Sequence, residues 1–231
     1  MLPFPTLIDA ALIERAKKIP VATLCDGMMS TGVAKNGGCM NAAIRAVDTH
    51  MSMAGTAVTV ATGNGDNLPI HLATYAAPTE GYVMVIDGQA WSECAYIGDL
   101  VVGAADAVGY QGIVLDGYSR DLLGTIEKQF PIYSRGIMAA GPIKNDPGQI
   151  NSAITCGGVV VQAGDLVVGD ADGVCVIPRE QILSVIEAAE KKLAYEEERL
   201  ATIIAYKKAR QAGEPLPDLA PSWVTEMMAK I

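Results

Sequence analysis

The stretch YVMVIDGQAWSECAYIGDLVVGAADAVGYQGIVLDGYSRDLLGTIEKQFPIYS, residues 82–134, decides the fold class. Tyr82–Ile86 reads as a strand that stops at Asp87-Gly88. Gly112–Leu115 reads as a second strand that stops at Asp116-Gly117, 29 residues after the first pair. A helix is expected from Gly98-Asp99 to about Val108, and another from near Ser119 to about Phe130. A third strand follows at Pro131–Ser134. Strand-helix-strand-helix-strand, with about one βαβ repeat between the two Asp-Gly turns, marks a parallel α/β sheet.

The flanks extend that scheme. Upstream, residues 7–18 predict a helix, with Ile8, Ala11, Leu12 and Ala16 at helical spacing and Pro20 closing it. A second helical turn is expected at Thr23–Ser30, then a loop at Gly32–Gly38. From Ile44 to Val60 the pattern turns β, and the run GTAVTVATG alternates and is rich in Val and Thr. It ends in GNGDN, residues 63–67, where Asp66 or Asn67 can cap a helix with Pro69 in its first turn that runs to about Ala77. Past Gly141, ITCGGVVVQAGDLVVGDADGVCVIP reads as short strands joined by Gly-Asp turns. A long helix follows from about Arg179 to Ala212, with Gly213 at its end. The Pro-rich EPLPDLAPSW then leads to a short terminal helix. One domain over 1–231 is expected, with 179–231 as its C-terminal helix and tail.

The hexapeptide GDLVVG occurs at 98–103 and again at 164–169. AADAVGY after the first copy continues a helix, whereas DADGV after the second forces a turn. The first copy is therefore a helix start and the second a strand. A helix start exposes backbone N–H groups and a positive dipole end, so only the first copy is a natural anion site.

Whole-chain properties narrow the function classes. Seventeen basic against 26 acidic residues give −9, which disfavours a nucleic-acid surface. An anionic substrate remains compatible, because one well-placed Arg can dominate locally. Five cysteines, an odd number without metal-finger spacing, point to a reduced, intracellular protein. The start MLPFPTLIDAALIERAKK is not a signal peptide, and no stretch approaches the ~20 apolar residues of a membrane span. A cytoplasmic protein without membrane partners is expected.

Parallel α/β sheets place their sites beyond the carboxyl ends of the strands. Asp99 and the Arg120-Asp121 pair both follow such ends. They can converge on a crevice holding N–H groups of Gly98–Val101, a guanidinium and two carboxylates. The N–H groups suit a carboxylate. Arg120 suits a carboxylate or carbonyl oxygen and can stabilise an enolate. Asp121 suits a hard cation, Mg²⁺ or Mn²⁺, since no Cys/His cluster is available for zinc. Spacing alone, however, favours a plainer reading, in which Arg-Asp at a helix start is a cap with a surface ion pair.

The residues then resemble a known family. Gly98-Asp99-Leu100, GIVLDGYSRD at 112–121 and GGVVVQAGDLVVGDADGVCVIP at 157–178 look like the RraA-like family, which includes the class II 4-hydroxy-4-methyl-2-oxoglutarate and 4-carboxy-4-hydroxy-2-oxoadipate aldolases. The similarity runs from about residue 20 to about 190. Its most specific element is an Asp followed after twenty residues by Arg-Asp, which marks the aldolase-competent members. The resemblance implies that Asp121 anchors Mg²⁺ or Mn²⁺ and that Arg120 contacts the substrate oxo group and stabilises the pyruvate enolate. It implies that Asp99 orders water at the metal and takes part in proton transfer. Backbone N–H groups of Gly98, Asp99, Leu100 and Val101 would hold the carboxylate of a 2-oxo acid. It further implies a β/β/α sandwich, of the swivelling-domain kind, in homotrimers or homohexamers with sites between subunits. A neighbouring subunit would add an acidic residue from its C-terminal helix, for which Glu197 in Tyr195-Glu196-Glu197-Glu198 is the nearest candidate and a solvated helix face the competing reading.

Other features are read as supporting structure. GNGDN lacks the Lys-Ser/Thr ending of a phosphate loop and is expected near the site mouth. His71 follows Asn67 by one helical turn, and a lone His is usually structural. Cys94 has no visible base to activate it. Trp91 and Tyr96 suit either the pocket wall or packing. The function expected is a metal-dependent lyase that cleaves 4-hydroxy-2-oxo acids to pyruvate through an enolate. Oxaloacetate decarboxylation would share that intermediate. The alternative is an RraA-type regulator that binds an RNA-processing enzyme, to which an acidic surface is suited. A methyltransferase has no nucleotide-binding fingerprint to support it.

Overall fold

The structure is a computed structural model that describes residues 1–231. Contacts divide it into two compact units, Met1–Ala189 and Glu190–Ile231.

In the first unit, helices α1 (Ala10–Lys17) and α2 (Val21–Ser30) lead to strands β1 (Arg45–Ala46) and β2 (Met53–Ala61). Helix α3 (Leu68–Ala76), strand β3 (Tyr82–Asp87), strand β4 (Ala95–Ile97) and helix α4 (Asp99–Ala107) follow. Next come β5 (Gly112–Leu115), β6 (Tyr118–Ser119), α5 (Leu122–Glu127), β7 (Ile132–Ser134) and β8 (Gly136–Ile137). The remaining strands are β9 (Gln149–Ile150), β10 (Ile154–Cys156), β11 (Val159–Val161), β12 (Leu166–Asp170) and β13 (Gly173–Ile177). The long helix α6 is Ile182–Ala212, and α7 is Ser222–Met228.

The main sheet has the order β1-β7-β5-β3-β2-β12-β13, with β9 also paired to β2. Strands β2, β3, β5 and β7 are parallel, and β12, β13 and β1 add antiparallel pairs at the two ends. The terminal strands β1 and β13 come near each other, so the sheet is nearly closed. Strand residues bury alternate sides, as a period of two requires. Val58, Val60, Met84, Ile86, Ile113 and Leu115 pack with Ile70 and Ala73 of α3 and Val102 and Ala105 of α4. Ala57, Val83, Val85 and Val114 pack instead with Ile154, Cys156 and Val161 of the β10-β11 hairpin and with Val174 and Val176 of β13. This is the β/β/α layering expected from the resemblance. The parallel strands are buried on both faces, which is why they read as continuous apolar runs.

Local expectations hold with small shifts. The Asp9 carboxylate accepts Ala11 N–H at 2.7 Å and starts α1 later than residue 7. The Asp66 side chain accepts Leu68 N–H at 2.9 Å, while Asn67 occupies the cap position of α3 without such a bond. The expected helix from Ser119 to Phe130 is a correction. Tyr118-Ser119 forms a strand, and α5 has only six residues, Leu122–Glu127. The reason is a second sheet, invisible in the pattern, in which three short parallel strands lie in the order β4-β6-β8.

The second unit contains most of α6, the proline-rich segment and α7. Gly213 (φ +69°) ends α6, and Glu214 N–H returns to Ala209 O at 3.0 Å, as a glycine-stopped helix requires. The Arg199 guanidinium donates to Leu219 O at 2.6 Å.

Candidate active site

The small sheet builds the site. Gly98 follows the carboxyl end of β4, and Arg120 follows the carboxyl end of its parallel neighbour β6. Arg120 N–H donates to Ile97 O at 2.9 Å, which locks the two strand ends together. Two points far apart in the chain thus become adjacent through one hydrogen-bonded pair. Both groups follow strand ends, and the strands immediately before them are the short β4 and β6 rather than β3 and β5. Asp116 is occupied otherwise: it pairs with Arg135 and accepts Gly157 N–H at 2.7 Å.

Asp121 has φ 58° and ψ 45°, a left-handed conformation that Asp tolerates better than most residues. The turn brings its carboxylate back to the start of α4, where Oδ2 accepts Asp99 N–H at 3.3 Å and lies 3.5 Å from Arg120 Nε. Gly98 is needed beneath this group. A Cβ there would collide with Asp121 Oδ2 and lie 3.0 Å from Arg120 Cγ. The first intrahelical bond of α4 is Val102 N–H to Gly98 O, so Leu100 and Val101 carry N–H groups at the open end. Asp99 packs on α5, its Oδ2 3.3 Å from where a Cβ on Gly124 would stand. The Arg120 guanidinium lies against Gly141, with Nη1 2.9 Å from a Cβ position there. Arg120 and Asp121 side chains are each 43 % exposed, so the ion pair is open to a ligand.

Asp99, Arg120, Asp121 and the Gly98–Val101 backbone line one cleft of about 230 Å³. Asn67, His71, Pro142 and Lys144 line it too. Spacing did not point to Lys144, and only a long-range contact reveals it. Ile143 N–H donates to Gly65 O, Asn67 N–H donates to Ile143 O, and Asp66 Oδ2 accepts Asn145 and Asp146 N–H at 2.7 and 2.8 Å. Burial alone would raise the Asp66 carboxyl. Its bonds to Leu68, Asp146 and Asn145 N–H and the nearby Lys144 outweigh burial and hold it below the ordinary carboxylate range. Burial, and secondarily Lys144, lower the His71 imidazole, which leaves it neutral at pH 7. Asn67 is buried, with Nδ2 bound to Tyr96 O at 2.9 Å and Oδ1 lacking a partner. Tyr96 is packing and a tether: its ring is fully buried, and its hydroxyl takes Gly65 N–H and donates to Gly88 O, both at 3.0 Å. Burial pushes the Cys94 thiol up, in keeping with a structural role. Glu197 lies in the second unit with an exposed side chain.

This is an α/β protein that sets a guanidinium, two carboxylates and a helix N-terminus around one small cleft. The RraA-like family model, described as Aldolase/RraA, matches residues 21–176, and the chain belongs to that family. A protein of Halalkalibacterium halodurans named "Putative 4-hydroxy-4-methyl-2-oxoglutarate aldolase" is 41 % identical over 160 residues, which cover 69 % of this chain and 76 % of that protein. Among solved structures, an uncharacterized Pseudomonas syringae protein aligns with a TM-score of 0.76 at 24 % identity, covering 91 % of this chain and 98 % of its own. Streptomyces coelicolor RraAS2, described as an unusual member of the RNase ES inhibitor RraA family, aligns with a TM-score of 0.74 at 24 % identity over 85 % of this chain and 98 % of its own. These two likenesses establish the fold. No helix is long and apolar enough to cross a membrane.

Proposed function

We propose that the protein is a divalent-metal-dependent lyase that cleaves 4-hydroxy-2-oxo acids, of the 4-hydroxy-4-methyl-2-oxoglutarate type, to pyruvate. The observation that carries this reading is the convergence of Asp99, Arg120 and Asp121 on the cleft at the start of α4. A surface cap and ion pair would not need the Gly98 and Gly141 backbones cleared beneath the Arg120 and Asp121 side chains.

The donor set fits Mg²⁺ or Mn²⁺. No group of three His, Cys, Asp or Glu side chains is placed to hold a metal ion by itself. Mg²⁺ is commonly held by one or two carboxylates, with water and substrate completing its shell. Asp121 would hold the ion directly and Asp99 through water. When bound, the ion polarises the substrate oxo group. The chain's own groups account for the remaining steps. Leu100 and Val101 N–H and the α4 dipole receive the 2-oxo acid's carboxylate. Arg120 donates to the C2 oxo oxygen. The 4-hydroxyl gives up its proton, with Asp99 taking part in the transfer. The C3–C4 bond breaks, and its electron pair moves toward C2 to give the enolate, whose oxygen Arg120 stabilises. Protonation at C3 releases pyruvate. Oxaloacetate can enter the same enolate by losing CO₂, which makes it a second expected substrate.

The family resemblance also supports a homotrimer or homohexamer, with Glu197 of a neighbouring copy completing the site. A monomer at micromolar concentration in light scattering would remove that part. The main test is pyruvate release from a panel of 4-hydroxy-2-oxo acids and oxaloacetate, with and without Mg²⁺. Turnover of at least one with Mg²⁺ is expected. No turnover of any, with a folded protein, would leave the regulator reading in front.

A further inference from the structure

Away from the cleft, the structure holds a sulfur cluster that plays no part in the proposed chemistry. Cys25 on α2 and Cys39, in the segment before β1, have their Sγ atoms 2.6 Å apart, closer than unbonded sulfurs normally approach. A disulfide bond of about 2.05 Å would need each sulfur to move only a fraction of an ångström. Cys175 of β13 is a third member: it hydrogen-bonds to Cys25 and pairs in the backbone with Cys39.

Gly37-Gly38 makes this contact possible. Both have positive φ, +67° and +62°, and a Cβ on Gly37 would stand 2.6 Å from Cys25 Cβ. Only glycine lets the segment fold this tightly over α2. Beyond the turn the segment runs beside β13, with Val176 N–H to Gly38 O at 3.1 Å and Met40 N–H to Val174 O at 2.9 Å. Cys39 is thus fixed from one side by β13 and presented to Cys25 on the other.

We propose that Cys25 and Cys39 are a thiol oxidation site that takes a hydroperoxide and forms a reversible intrachain disulfide. Cys39 is the more exposed of the two and reacts first. Its sulfur attacks the peroxide oxygen, giving a sulfenic acid and releasing an alcohol, or water from hydrogen peroxide. The Cys25 sulfur then attacks the Cys39 sulfur and expels water. In sum, two thiols and one hydroperoxide become one disulfide, one alcohol and one water. The bond staples α2 to a segment already zipped to β13. Neither thiol lines the Asp99–Arg120 cleft. The contact with Cys175, then burial and Asp26, push the Cys25 thiol up to about 12. Cys39 is also held protonated, by Cys25, burial and Asp170. With so little thiolate at neutral pH, the reaction is slow, as suits a staple rather than a catalytic thiol.

The experiment uses the full chain, reduced with dithiothreitol, freed of it and incubated with hydrogen peroxide. Thiols titrated in denaturant should fall from the five of the reduced chain to three. Lys35 separates the two cysteines, so trypsin should yield peptide 19–35 linked to peptide 36–45. Dithiothreitol should part them, and the thermal midpoint should rise by several degrees on oxidation. Cys39→Ser should abolish the linkage and Cys175→Ser should keep it. Five thiols retained, oxygen addition without linkage, or a linkage to Cys175 would overturn the proposal. Should Cys175→Ser fail to fold, the wild-type peptide map alone decides between these outcomes.

Discussion

Gly98–Gly103 and Gly164–Gly169 have the same six residues and opposite structures. The first opens α4, and the second leads into β12. Gly98 is extended at φ −145°, whereas Gly164 needs φ +102°. Asp99 lines the cleft. Asp165 is buried and accepts Gln162 and Arg179 N–H at 2.9 and 3.1 Å, closing a turn. The six residues themselves permit either state, and the flanks decide. AADAVGY offers α4 good helix formers, while Asp170 and Gly173 let β12 turn back onto β13. An identical motif can therefore open a helix onto a cleft in one place and close a turn into a strand in the other.

The largest effects should separate the two copies by function. Arg120→Ala should lower pyruvate release by at least ~10²–10³, the usual loss of one preorganised donor to an oxyanion. Arg120→Lys should be nearly as harmful, since a point charge cannot present a planar fork to two oxygens. Asp121→Ala should lose both turnover and its response to Mg²⁺. All three should stay folded by circular dichroism, because both side chains are partly exposed. Near-normal turnover in folded variants would reduce the pair to a cap and ion pair. A chelator should likewise stop turnover, and Mg²⁺ or Mn²⁺ should restore it. Full activity in excess chelator would break the metal-dependent assignment.

The glycines sharpen the contrast. Gly98→Ala meets the end of Asp121 and the Cγ and Nε of the half-exposed Arg120 at an ordinary φ, so it should fold with little change in midpoint while losing about tenfold or more in rate. Gly164→Ala forces a side chain into a left-handed φ and should destabilise by about 1–3 kcal/mol with the rate per folded molecule unchanged. Thermal melts and active-site-normalised rates on both variants test this. Equal rate losses would erase the distinction.

What was legible follows from range. The parallel strands and the different fates of the two GDLVVG copies rest on local pattern, which Asp-Gly, Gly and Pro punctuate sharply, whereas the β/β/α class comes from the family resemblance. Asp99, Arg120 and Asp121 could be named together because the family resemblance fixes their spacing. Their adjacency comes from something pattern cannot show. Strands β4 and β6, of three and two residues, are too short to give a period. Lys144 was hidden for a related reason, since Asp66 carries it to the cleft through bonds to residues far along the chain. The Cys25–Cys39 contact depends on two glycines in a segment that reads only as loop. Glu197 sits on a helix whose residues after Ala189 are largely exposed, so periodicity there reports a solvated face.

The smallest effect expected is a pH signature at Asp165. Burial raises its carboxyl, and the Gln162 and Arg179 N–H groups and the Arg179 charge only partly offset this. The folded value lies above the unfolded one, so the native state holds this proton more tightly. The resulting stability is fully present below the ordinary value and is lost as pH rises through the raised value. Asp165→Asn cannot titrate. The difference in thermal midpoint, wild type minus variant, should therefore be largest in acid and shrink as pH rises from about 3 toward 7, levelling off once Asp165 is ionised. Differential scanning calorimetry across that range reads it directly, and the acid losses of all other carboxylates cancel between the two proteins. A difference that grows with pH would mean that the two N–H bonds outweigh burial. The Asp of the second GDLVVG copy would then be a carboxylate held ionised by the Gln162 and Arg179 N–H groups, rather than one kept protonated by burial.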